Sequence, residues 1–141
     1  MEASAILQPV IVLGLLTIAI TFWMFITRVP AMKRLRIHPQ KGRDTSKLKE
    51  LLPDEVTRIS NNYNHLFEQP VLFYAIAISL AIMGHVDAFY VGCAWIYVGL
   101  RIAHSLVQAT VDIVLIRFTF FMLSSLVLAV MVIREALTLF I

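Results

Sequence analysis

The side chains able to do chemistry in this 141-residue chain fall in three short stretches. The first holds Arg58, Ser60, Asn61, Asn62, Asn64, His65, Glu68 and Gln69. On a helix, Arg58, Asn62, His65 and Gln69 lie within about 40° of one line, with Asn61 and Glu68 beside them. The second, Tyr97, Arg101, His104, Ser105, Gln108 and Asp112, follows helical spacings of three and four and makes one stripe. The third is Arg117. Together, Arg58, Arg101, Arg117 and Glu68 form a cationic set with one carboxylate. Such a set suits a small ligand that carries carboxylates and an amine: guanidinium forks hold carboxylates in two places, and Glu68 takes the ammonium. Blander readings stand beside this one. Asn and Gln serve as interhelical hydrogen bonders, Arg101 and Glu68 as an ion pair, His104 as a satisfied interior histidine, and Arg117 as a cation reaching for lipid phosphate.

The elements that must carry these residues are apolar. Hydrophobic residues make up 60% of the chain and charged ones only 15%, against about 25% in a soluble domain. Four segments read as transmembrane helices, at about 5–27, 53–83, 88–108 and 113–141, because each approaches the ~20 mostly apolar residues that spanning needs. No strand-like alternation competes with them. The fold class expected is therefore all-α, an integral membrane four-helix bundle over a single domain, 1–141. The first apolar run has no basic flank before it and is too long for a signal peptide, so it reads as a retained helix. The second helix is expected to start at Pro53, with Asp54 and Glu55 favouring the positive end of its dipole. Unbroken to Met83 it would be about 46 Å long, more than the ~30 Å hydrocarbon core, so its polar first half would emerge at one interface.

Charge gives an expected orientation. Arg28, Lys33, Arg34, Arg36, Lys41, Arg43, Lys47 and Lys49 lie in the connection 28–52, against Asp44 and Glu50 alone. The positive-inside rule puts this loop in the cytoplasm and both termini on the opposite side. Contact with anionic lipid accounts for such a loop better than nucleic acid does, and no nucleic-acid partner is expected. Leu48, Leu51 and Leu52 are expected to seat a short surface turn within it. Arg134 reads as an interfacial anchor at the far end of the fourth helix. The single cysteine, Cys93, rules out an internal disulfide and multi-cysteine metal sites, and no metal is expected.

Two local motifs sharpen this picture. One is Arg58 through Pro70, RISNNYNHLFEQP; the other is Arg101-Ile-Ala-His104-Ser, followed sixteen residues after Arg101 by Arg117. With four helices and a basic first loop, the chain resembles the MAPEG family, the membrane-associated proteins in eicosanoid and glutathione metabolism. The resemblance implies a homotrimer in the bilayer that binds glutathione between subunits near the cytoplasmic face, with lipophilic small molecules as second substrates. It places Glu68 near the glutathione amine and Arg58, His65, Arg101 and His104 along the ligand. It makes Arg117 the catalytic residue that stabilises the glutathione thiolate. The chain departs from the pattern at His65, where an asparagine is usual; at Gln108, where a tyrosine is frequent; and at Phe118 and Phe121, where some branches carry hydroxyls. Two functions follow as expectations. The first is a glutathione-dependent membrane enzyme, most simply a transferase or peroxidase acting on lipophilic electrophiles. The second is a non-catalytic membrane subunit or ligand-binding scaffold of the same fold.

Overall fold

Apolar residues seven apart set the packing of the first helix. In the computed structural model, which describes residues 1–141 apart from the side chain of Thr45, α1 (Ala3–Arg34) buries Ile6, Leu13 and Ile20 on one line. Its opposite face leaves Ile11, Leu15, Ile18 and Phe22 more than half exposed. Water would penalise such a stripe, whereas hydrocarbon matches it. The core is completed by Phe73, Ala77 and Leu80 of α4 (Gln69–Met83), by Tyr90, Ala94, Tyr97 and Val98 of α5 (Ala88–Ala109), and by Leu128 and Met131 of α6 (Val114–Phe140). The ring of Phe73 stacks on that of Tyr97, with centroids 4.5 Å apart. Four helical stretches, Ala3–Arg34, Asp54–Met83, Ala88–Ala109 and Val114–Phe140, are long and apolar enough to cross a bilayer. The chain is an all-helical, multi-pass membrane protein.

The first helix runs further than 5–27. Pro30 withholds one hydrogen bond without ending it, and the chain stops only after Arg34 in a left-handed cap. There Arg36 has φ 56°, its N–H donates to the Lys33 carbonyl (3.2 Å), and the Ile37 N–H donates to that of Met32 (2.8 Å). This paired pattern satisfies the last carbonyls and brings Ile37 and Met32 together on a small core. That core consists of Ala31, Leu48, Leu52 and Val56, and it fastens the basic connection to α1. The connection is itself folded into a 3₁₀ turn, Pro39–Arg43, and α2 (Thr45–Leu51), whose start is capped by the Asp44 carboxylate accepting from the Ser46 N–H (3.1 Å). Leu48 and Leu52 are buried here, whereas Leu51 is exposed.

The largest correction concerns 53–83, expected as one helix. Two are found, α3 (Asp54–His65) and α4, separated by Leu66, Phe67 and Glu68. Pro70 lies in the first turn of α4, where its missing N–H costs nothing. In a continuous helix that N–H would have been needed by the Leu66 carbonyl. Glu68 (φ −96°, ψ −100°) therefore leaves helical geometry and sits in the break rather than inside a helix.

At the end of the bundle far from the basic loop, Gly84 closes α4 with φ 72°, a region that a side chain would strain. Asp87 caps α5, accepting from the Tyr90 N–H (2.9 Å), and holds Arg134 of α6 through both oxygens (2.7 and 3.1 Å). Arg134 also lies over the rings of Phe89 and Tyr90, at 4.6 and 4.4 Å, so the anchor expected from sequence is bound to protein. Its guanidinium, with the Tyr90 N–H, holds the Asp87 carboxyl below the ordinary aspartate range. Beside it Glu135 is buried, accepting from the Tyr90 hydroxyl (2.9 Å) and hydrogen-bonded to His85 Nδ1.

Candidate functional site

The polar face of α5 is buried as the spacing demanded: Tyr97, Arg101, His104, Ser105 and Gln108 are each at most 2% exposed. The α3–α4 break gives this face its partners. Arg101 Nη2 donates to the His65 carbonyl (3.4 Å) at the end of α3, and Nη1 donates to Gln69 Oε1 (3.5 Å) at the start of α4. The same Gln69 oxygen accepts from the Tyr97 hydroxyl (3.3 Å), and the Gln69 amide donates to Ser125 of α6. Gln69 therefore ties three helices together. Arg101 and Glu68 do not form the ion pair that one reading of the sequence allowed; among the described residues Arg101 meets no carboxylate within 4.0 Å. The guanidinium is spent on backbone and amide oxygens at the break.

Glu68 turns back onto α3 instead. Its Oε2 lies 3.1 Å from His65 Nδ1, and its side chain is 63% exposed. The His65 ring meets the His104 ring edge-on, with centroids 6.0 Å apart. Both imidazoles line a cavity of about 170 Å³, together with Val114, Arg117, Phe118 and Phe121 at the start of α6. Arg117 is fixed at its rim by Asp112, Nη1 to Oδ1 at 2.9 Å. Asp112 occupies the α5–α6 connection with φ 48°, a conformation that aspartate tolerates, and its N–H donates to the Val107 carbonyl (2.7 Å). The pocket is thus lined by one arginine, two histidines, two phenylalanines and a valine.

Arg58 stands apart from this cavity. It lines an open groove of about 750 Å³ between α1, α3 and the end of α5, with Arg34, Glu55 and Trp23. The two cavities share no lining residue. Of the six residues expected from sequence, His65, His104 and Arg117 come together, Glu68 joins them through His65, Arg101 supports them from below, and Arg58 is elsewhere.

Several buried polar atoms on these elements have no protein partner: Asn62 Oδ1, Arg58 Nε, Arg101 Nε, His104 Nδ1, Ser105 Oγ and both amide atoms of Gln108. Each such atom costs about 1–3 kcal/mol when left unpaired. They are concentrated along α3 and α5, inside the bundle. The roles of Gln69 and Asp112 were not legible beforehand, although both lay on the polar stripes. Glu135 was missed outright, and a lone carboxylate in an apolar helix is signal enough to have found it.

No curated protein and no solved structure matches the chain. The family model of the MAPEG family matches residues 6–137, nearly the whole length. With that match over four helices able to span a membrane, the chain belongs to the MAPEG family.

Proposed function

We propose that the protein is a glutathione-dependent membrane enzyme, most simply a transferase or peroxidase, in which Arg117 stabilises the thiolate. The observation that carries this reading is the cavity lined jointly by Arg117, His65 and His104 and by Val114, Phe118 and Phe121. A free thiol has a pKa of about 8.5, and an adjacent cation favours its ionised form. The aromatic walls suit an apolar electrophile held against the sulfur, so that placement and thiolate activation supply the rate.

At about 170 Å³ the cavity holds roughly six waters' share of liquid volume at ~30 Å³ each. It therefore suits the thiol-bearing part of glutathione and not the whole tripeptide. The rest is proposed to lie against α3, with Glu68 Oε1 taking the ammonium and Arg58 a carboxylate. Because Arg58 opens onto a groove separate from the cavity, the Arg58 and the Glu68 that hold one glutathione are proposed to come from different copies of the chain. This supports an assembly of copies, which we propose to be a homotrimer with glutathione between subunits. The eight basic residues from Arg28 to Lys49, at the end of α1 and in the connection after it, support an orientation with that connection in the cytoplasm and both termini opposite.

A second reading, a non-catalytic scaffold, is favoured by Phe118 and Phe121, which offer the thiol no hydroxyl. The two are separated by incubating purified protein with glutathione and an aryl halide. Conjugate formation above the uncatalysed rate, lost in Arg117→Ala, supports the enzyme. Glutathione binding without conjugation of any electrophile tested supports the scaffold.

A further inference from the structure

We infer that His65, held by Glu68, is the group that takes the proton from the glutathione thiol. This rests on the glutathione reading above and adds to it a catalytic residue other than Arg117.

The pair is not an ordinary neighbour contact along a helix. His65 is the last residue of α3, and Glu68 is outside helical geometry in the break that Pro70 imposes. The break folds the carboxylate back to 3.1 Å from Nδ1. A carboxylate at Nδ1 fixes the proton on that nitrogen, an assignment that follows from the hydrogen bond, and leaves the Nε2 lone pair available. Among the described residues Nε2 has no hydrogen-bond partner, and His65 is one of the residues lining the cavity that Arg117 also lines. An imidazole with an orienting carboxylate at one nitrogen, on a residue that lines a cavity, has the parts of a general base.

The charged and titratable groups around the cavity divide the work. Arg117 comes from α6, but Asp112 at 2.9 Å offsets part of its charge. Arg101, on α5, is occupied by Gln69 and the His65 carbonyl. His104 is 2% exposed, has no carboxylate beside it and leaves Nδ1 unpartnered, so nothing there stabilises an imidazolium. His65 has Glu68 to stabilise its charged form, and its side chain is 39% exposed in the single chain. In the step itself the S–H bond breaks, its electron pair stays on sulfur, and an Nε2–H bond forms. The product is a thiolate facing Arg117 and an imidazolium facing Glu68.

The test uses the wild-type protein, with its histidines labelled for ring-nitrogen NMR and His65 assigned by the signal lost in His65→Gln. Glutathione at neutral pH should convert the His65 ring from neutral to imidazolium. S-methylglutathione, which has no thiol proton to give, should bind without that change. In parallel, at saturating glutathione the pH midpoint of bound thiolate absorbance should move up by about one unit or more in His65→Gln. A ring that stays neutral while bound thiolate appears overturns the inference, as does an unchanged midpoint in His65→Gln. Failure of wild-type protein to bind glutathione at all would instead contradict the glutathione reading itself, and the proton transfer with it.

Discussion

Arg117 and Asp112, five residues apart across the start of α6, form an ion pair at the rim of the pocket, Nη1 to Oδ1 at 2.9 Å. The carboxylate orients the guanidinium and also lowers the positive potential felt by any anion in the cavity. Asp112→Asn separates the two effects. An asparagine oxygen can still accept from Nη1, and asparagine tolerates the left-handed backbone as well as aspartate does. Bound thiolate should then appear at a pH lower by about half a unit to one unit, or roughly 0.7–1.4 kcal/mol. Absorbance titration of bound glutathione reads this directly. A midpoint that rises would mean that orientation outweighs charge.

Glu135 makes a different kind of demand on the fold. Its carboxylate is buried, accepts from the Tyr90 hydroxyl, and is bonded to His85. Tyr90→Phe removes one hydrogen bond to a charged acceptor and should cost about 1.5–3 kcal/mol. Glu135→Ala should cost at least as much, because it strands the hydroxyl of a residue only 2% exposed. Unfolding in mixed detergent micelles checks both, with no change expected in glutathione binding at the other end of the bundle.

Acid should loosen that same end through Asp87. Arg134 and the Tyr90 N–H hold its carboxyl below the ordinary value of 3.8, so the folded state binds this proton less readily than the unfolded chain does. For a depressed carboxyl the stabilisation is complete above the unfolded value and is lost as pH falls through the lower, folded one. The melting temperature should therefore drop below about pH 3.8. In Arg134→Gln this component of the acid slope should be smaller. The effect should be modest and should shrink with salt, since both side chains are about two-fifths exposed.

Much of this molecule can be read from residue order alone. The helix of Ala88–Ala109 and the burial of Tyr97, Arg101, His104, Ser105 and Gln108 follow from spacing on an apolar background. The pocket is only half legible. Pro70 was in view, yet the run from Asp54 to Met83 reads as one helix because the helical line of Arg58, Asn62, His65 and Gln69 leads directly into the apolar stretch. Once the break is known, Glu68 turns to His65 and Arg101 finds a backbone carbonyl, and neither partner is written in side-chain pattern. The separation of Arg58 from Arg117 is a matter of which side of the α3–α5 contact each one meets, which no single-helix projection contains.

The proposed assembly makes a prediction independent of chemistry. If glutathione lies between neighbouring copies as proposed, mass measurement on gently solubilised protein should give three chains. Detergent that dissociates them should abolish glutathione binding together with the trimer. A monomer or dimer that retains full binding would place the whole ligand within fewer copies.

The central claim is that Arg117 ionises a bound thiol. At the mouth of a partly dry pocket, one guanidinium supplies about one to two units of pKa depression, or roughly 1.4–2.7 kcal/mol. The direct measurement is the ultraviolet difference spectrum of glutathione bound at neutral pH, taken on wild-type protein, Arg117→Ala and Arg117→Lys. Wild-type protein should show the thiolate band. Arg117→Ala should bind glutathione and lose the band, and Arg117→Lys should recover part of it, since a compact ammonium does not copy the guanidinium fork. No band in the wild type, or an undiminished band in the alanine variant, would contradict the mechanism and leave Arg117 as a membrane anchor.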